Sequence, residues 1–240
     1  MNQRSTLIFG GNSPIALSIA NNLNLPNKKA ILVTRDINAF NTDLISPGVE
    51  LVQLDMQNLD EHKVQETIIS QSVDSLVFMH RYIQKTENIL NRFQVEVHGP
   101  QKVIELFIKY SQKSDFKPVV FGGSPAARVI QTKQSMGYHM SKAAQISMMK
   151  YLATNHGNEG FRFNTVSPGA YIQKERSRDY YKQNPELVES IEKLIPVGRF
   201  GKVTDISNLV NFLLSEKSSF INGATIEIDG GVSAIDPSAL

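Results

Sequence analysis

The chain has 240 residues, a length that permits one large α/β domain or two small ones and is ample for a hydrophobic core. Hydrophobic residues make up 41% and charged residues 20%, which excludes a disordered, collagen-like or coiled-coil chain. With 25 Lys and Arg against 23 Asp and Glu, no basic face for nucleic acid is implied, and the lack of cysteine excludes disulfides, thiol catalysis and cysteine metal sites.

Two periods alternate along the chain. Short continuous apolar runs at 6–9, 30–34, 49–54, 75–79, 118–121, 161–166 and 224–228 predict seven strands. Stretches with apolar residues three and four apart predict helices at 14–24, 58–70, 86–111, 136–156 and 203–215. Strands that are apolar on both faces, each followed by a helix, predict a doubly wound seven-stranded parallel sheet covered by helices on both sides, in one domain over residues 1–240. The irregular stretches 122–135 and 169–184 follow strands directly, where α/β sheets bind ligands, and a lid is expected over about 170–195. No segment reaches the roughly 18 apolar residues of a spanning helix, and the apolar run after Met1 is too short for a signal peptide, so a cytoplasmic protein is expected. The His residues show no metal-binding spacing, and no metal is expected.

The first strand leads into Gly10-Gly11-Asn12-Ser13-Pro14-Ile15-Ala16. Glycine permits the sharp turn, and the helix start offers free N–H groups to a phosphate. Ser13 before Pro14 reads as an N-cap with proline at the first helical position, so an ordinary capped turn fits these residues nearly as well. The second strand ends in Arg35-Asp36. A cation there favours the 2′-phosphate of NADP over NAD, whereas Arg35 paired with Asp36 or Asp55 would be a plain surface residue. In Tyr138-His139-Met140-Ser141-Lys142, the Tyr and Lys lie one helical turn apart, so the ammonium can favour the phenolate and suit the pair to proton transfer. Ser124, just after a strand, could hydrogen-bond the same substrate oxygen.

Ser124, Tyr138 to Lys142, Arg162-Phe-Asn-Thr-Val-Ser-Pro168-Gly169, Ile195-Pro-Val-Gly-Arg-Phe-Gly201 and Ile221-Asn-Gly-Ala-Thr-Ile-Glu-Ile-Asp-Gly-Gly231 stand in the order of the short-chain dehydrogenase/reductase family, which the chain resembles from end to end. Within that family it reads most like 3-oxoacyl-(acyl carrier protein) reductases. The resemblance implies a single Rossmann domain, a nicotinamide cofactor and oxidation or reduction at an alcohol or ketone carbon. Tyr138 would be the general acid, Lys142 would activate it and hold the nicotinamide ribose, and Ser124 would orient the carbonyl. Gly10, Asn12, Ser13 and Ile15 would cradle the pyrophosphate, Arg35 the 2′-phosphate and Asp55 the adenine, while Pro168, Gly169 and Ile172 would flank the nicotinamide.

The first half departs from the family pattern. Pro14 and Ala16 replace motif glycines, removing an amide donor and adding a methyl. Phe78-Met79-His80-Arg81 replaces Asn-Asn-Ala-Gly and is expected to crowd the cofactor. Glu96 stands in place of the catalytic Asn; it would either hold a water behind Lys142 or pair with Lys142 and raise its pKa. His80 and His98 are further acid–base candidates.

The expected function is NADPH-dependent reduction of a ketone, with a 3-oxoacyl thioester on a carrier protein or a related small-molecule ketone as substrate. Lys174, Arg176, Arg178 or Arg128 would receive an acidic acyl carrier protein. The alternative is a catalytically impaired relative that serves as a structural, regulatory or ligand-binding subunit. Relatives imply a homotetramer or homodimer, with Val103, Leu106, Phe107, Ile146 and Met149 either at the interface or in the core.

Overall fold

Each apolar run becomes a strand in the computed structural model, which describes residues 3–83, 86–173 and 178–236. In chain order the elements are β1 (Arg4–Phe9), α1 (Pro14–Asn21), β2 (Lys28–Thr34), β3 (Glu50–Gln53), α2 (Glu61–Ser70) and β4 (Val73–Phe78). The order continues with α3 (Ile89–Phe93), α4 (Gly99–Tyr110), β5 (Lys117–Gly122), α5 (Met136–His156) and β6 (Phe161–Pro168). Last come β7 (Ile172–Gln173), α6 (Arg178–Gln183), α7 (Pro185–Lys193), β8 (Gly201–Lys202), α8 (Val203–Leu213) and β9 (Thr225–Ile228).

The main sheet has seven strands in the order β3-β2-β1-β4-β5-β6-β9, and every pairing is parallel. The winding therefore reverses between β1 and β4, and their carboxyl ends open a crevice there. Alternation along each strand builds two cores. Leu7, Phe9, Leu76 and Phe78 bury one face with residues of α2, α4 and α5, while Ile8, Val77 and Val120 bury the other with α1 and α8. The predicted Rossmann architecture is the one observed.

Three expectations are corrected and one open choice is decided. Phe78 does not crowd the crevice: it is 2% exposed, and its ring stacks between Phe9 (4.9 Å) and Phe121 (5.0 Å), its neighbours in register. Val103, Phe107 and Met149 are wholly buried in the first core, so they serve the chain's own interior; Leu106 packs against the same core. The stretch 169–184 is not one loop, since β7 pairs with β8 and α6 begins within it, followed by α7 with Pro185 in its first turn. The predicted helix 86–111 is interrupted by a π-helical turn, Gln94–His98. Pro100 explains the interruption, because it has no N–H to give to the Glu96 carbonyl four residues back. Among the described residues no helix is long and apolar enough to cross a membrane.

Candidate active site

Gly10 adopts φ +106°, and a Cβ there would lie 2.7 Å from the His80 amide nitrogen, so only glycine lets β1 turn against the end of β4. The Ser13 amide donates to the Gly10 carbonyl at 2.7 Å and closes the turn. Ser13 occupies the N-cap position, but its hydroxyl makes no capping bond, which corrects the expectation of an ordinary capped turn. The first-turn amides of Ile15 and Ala16 are thus left for an anion. The extra methyl of Ala16 is fully buried against Ile8 and Leu32 and takes no space from the crevice.

Gly10, Asn12, Ser13, Ile15, Arg35 and Asp55 line one cavity of about 440 Å³ over the point where the winding reverses. Arg35 is paired with neither carboxylate considered for it. Asp36 accepts the amides of Asn38 (3.0 Å) and Ala39 (3.3 Å), and Asp55 accepts the Gln57 amide (3.0 Å) and the Asn58 side chain (3.3 Å). Pro168 and Gly169 stand at the end of β6, where a Cβ on Gly169 would meet Asp229. Ile172 lines a second cavity, of about 330 Å³, with Tyr171, Ile195 and Asp229. The cofactor candidates therefore divide between two cavities and a strand end.

Ser124 is buried just past β5, and its Oγ accepts the Ala126 amide at 3.2 Å. Helix α5 starts at Ser135, whose Oγ accepts the Tyr138 amide. Its inward stripe carries Tyr138, Ser141, Lys142, Gln145 and Met149, a polar run at core spacing. The Tyr138 ring is faced by three cations: Arg81 at 5.2 Å, Arg92 at 5.5 Å and Lys142 at 5.8 Å from its centroid.

Glu96, wholly buried in the π turn, is the hub behind that tyrosine. Its Oε1 accepts from Arg92 Nη1 (2.8 Å) and the Tyr82 amide (2.9 Å), and its Oε2 accepts from Ser141 Oγ (2.8 Å). The other edge of Arg92 makes a two-bond fork to Glu87, both at 2.7 Å. Lys142 Nζ donates to the Gly122 carbonyl (3.1 Å) and Gln145 Oε1 (2.9 Å) and lies 3.8 Å from Glu96 Oε2. Burial holds the Lys142 pKa below the ordinary lysine range; Glu96 pulls it back up, while Arg81 and Arg92 push it further down. Glu96 does pair with Lys142 and raise its pKa, as one of the two readings expected, but desolvation outweighs the ion pair and the net shift is downward.

Arg92, Gln145 and Tyr82 escaped the sequence reading, and Arg81 and Ser141 were given no role at Tyr138 in it. Ser141 and Gln145 were signalled by their spacing from Tyr138 and Lys142. Arg128, expected to be available to a carrier protein, is paired with Glu227 on β9. Lys174 and Arg176 lie outside the described residues, as does the side chain of Arg178.

His80 gives its Nε2–H to the Val95 carbonyl at 2.8 Å, and burial pushes its pKa down to about 4. It is neutral at pH 7, which removes it as a general acid there. Because the unfolded imidazole titrates near 6.5, the unfolded chain takes up the proton first. Acidification from pH 6.5 to 4 should therefore cost roughly 3 kcal/mol of stability. Urea unfolding of His80→Asn, compared with the native residue across that range, checks it; identical pH slopes would disprove the assignment.

The family model described as enoyl-(acyl carrier protein) reductase matches residues 48–233. The 3-oxoacyl-[acyl-carrier-protein] reductase MabA of Mycobacterium bovis is 27% identical over 236 residues, covering 95% of this chain and 92% of that one. Isoepoxydon dehydrogenase patN of Penicillium expansum is 31% identical over 149 residues, 62% of this chain, and the match spans only 58% of that relative's length. A structure from Agrobacterium tumefaciens described as a putative 2-deoxy-d-gluconate 3-dehydrogenase, with bound NADP, superposes with a TM-score of 0.80 at 20% identity, covering 98% of each chain. The chain belongs to the short-chain dehydrogenase/reductase family, oxidoreductases that act on CH–OH and C=O groups with NAD(P). Within that family, MabA is a relative matched along nearly the whole chain.

Proposed function

We propose that the protein reduces a ketone to a secondary alcohol with NADPH, and that a 3-oxoacyl thioester or related small ketone is its substrate. The observation that carries this reading is the buried Tyr138 and Lys142 pair on one face of α5, with buried Ser124 on the turn that packs against that helix. The cavity lined by Gly10, Asn12, Ser13, Ile15, Arg35 and Asp55 fits the adenosine diphosphate half of a dinucleotide, and Arg35 suits its 2′-phosphate. Pro168, Gly169 and Ile172 would hold the nicotinamide end, and the cofactor when bound supplies the hydride.

The chain's own residues do the rest. Ser124 already accepts a hydrogen bond from Ala126, so its hydroxyl proton is available to the substrate carbonyl. Tyr138 gives its phenolic proton to the oxygen as the alcohol forms. Lys142 uses two of its three protons on Gly122 and Gln145, leaving the third for a ribose hydroxyl. Residues 170–195 act as the lid, and assembly into a homotetramer or homodimer goes with this reading. A carrier protein would dock beside the lid.

A calorimetric titration with NADPH and NADH tests the proposal. NADPH should bind tighter by roughly 10- to 100-fold, the worth of a charged hydrogen bond, and Arg35→Ser should bring the two close to parity. Equal affinities in the native protein would remove the NADP preference. Binding of neither would favour the second reading, an impaired relative, for which Arg81 stacked over the Tyr138 ring speaks.

A further inference from the structure

We propose that Gln145 is a positioning residue that fixes the Lys142 ammonium against the π turn and excludes solvent from behind it. The inference rests on the reading of Lys142 as the partner of Tyr138 in proton transfer.

The π turn creates the need. Pro100 cannot bond the Glu96 carbonyl, and the Gly99 amide reaches back to Gln94 and so also frees the Val95 carbonyl. Two carbonyls in a buried turn thereby lose their α-helical donors, an arrangement that costs free energy unless other donors meet them. Both are met by side chains from elsewhere in the fold. His80 gives its Nε2–H to Val95, and Gln145 gives its amide N–H to Glu96. The oxygen of the same Gln145 amide accepts from Lys142 Nζ at 2.9 Å.

Only one orientation of that amide satisfies both neighbours, nitrogen toward the carbonyl and oxygen toward the ammonium. Gln145 and Lys142 are each 3% exposed, and Glu96 is wholly buried. The amide therefore fills the place a bridging water would need, and the carbonyl holds the ammonium at fixed distance through it. An ammonium so held keeps its third proton for the ligand side. Neither an apolar nor a shorter residue at this position can bridge the two groups.

The other charged or titratable groups facing Lys142 are Glu96 from the π turn, Arg92 from α3, Arg81 and neutral His80 from the segment after β4, and Tyr138 on α5. Substitution of Gln145 removes none of these groups, and the opposite signs expected for Gln145→Leu and Gln145→Glu separate its effect from theirs. The experiment follows the Lys142 side chain by NMR in protein carrying ¹³Cε-lysine, across pH, in the native protein, Gln145→Leu and Gln145→Glu. The pH profile of kcat is measured in parallel with a ketone substrate and NADPH. Loss of the acceptor in Gln145→Leu should lower the Lys142 midpoint and the alkaline limb of kcat by about one pH unit, a tenfold change in proton affinity. Gln145→Glu should raise both, while KM for the ketone changes little in either variant.

A midpoint shared by all three proteins would overturn the proposal. So would a midpoint that moves while the kcat limb stays, since Gln145 would then be structural only. If Gln145→Leu fails to fold, the opposite shift in Gln145→Glu carries the test. A native protein that reduces no ketone defeats the proposed function, whereas the NMR midpoints still report whether Gln145 holds Lys142.

Discussion

Tyr138→Phe is expected to cut the rate of ketone reduction by about 10³-fold, within the range for loss of a general acid, while NADPH binds with unchanged affinity. The substitution removes one oxygen and leaves the ring. Arg81, Arg92 and Lys142 face the ring, and those contacts survive in phenylalanine. Among the described residues no hydrogen bond ties the Tyr138 hydroxyl to the protein, so its loss orphans no buried partner. Helix α5 keeps its N-cap, because the cap is made by the Tyr138 backbone amide. A rate loss without a binding or folding loss is thus the signature of a proton donor. Turnover within tenfold of the native protein would overturn the assignment, as would loss of NADPH affinity equal to the loss of rate.

The sheet was legible because its signal is dense. Continuous apolar runs cannot sit at the surface, and alternation with helical stretches leaves little choice but a covered parallel sheet. Tyr138 and Lys142 were legible as a pair through their spacing on one helix. Phe78 was misread as a residue that crowds the crevice, although period-two alternation from Leu76 already aims it at the core shared with Phe9. The π turn was missed because a helical period runs straight through it, yet Gly99-Pro100 in mid-helix was a visible signal that the hydrogen-bond ladder must break. Helix α7 was likewise announced by Asn184-Pro185 and lost among charged neighbours. The chain from Glu87 through Arg92 to Glu96 and Ser141 had no comparable signal. Its Arg92–Glu96 link stands at i,i+4 spacing, but the link from Glu96 to Ser141 joins the π turn to α5 and is set by tertiary packing rather than local pattern.

That chain carries the largest expected effect on stability. The Arg92 side chain is 7% exposed and bonds Glu87 on one edge and Glu96 on the other. Arg92→Met would fill similar space but leave the wholly buried Glu96 carboxylate with only Tyr82, Ser141 and Lys142 around it. Removing one partner of a buried ion pair costs roughly 3–5 kcal/mol, which for a chain of this size lowers Tm by about 10 °C. Adding Glu96→Gln should recover part of the loss, since a neutral amide no longer needs the guanidinium, and a coupling of at least about 1 kcal/mol between the two sites is expected. Acid provides an independent check. The bond from Arg92 holds the Glu87 carboxyl below its ordinary 4.5. Its contribution is therefore present above pH 4.5 and lost as the pH falls through the depressed value. The gap in Tm between the native protein and Arg92→Met should narrow accordingly below pH 4.5. Calorimetric scans that show the variant melting within 2 °C of the native protein at neutral pH, against the expected ~10 °C, would mean that Glu96 is neutralised by Lys142 alone. Lys142 would then be committed to Glu96 rather than to Tyr138, and the acid assigned to this site would lose its cationic partner.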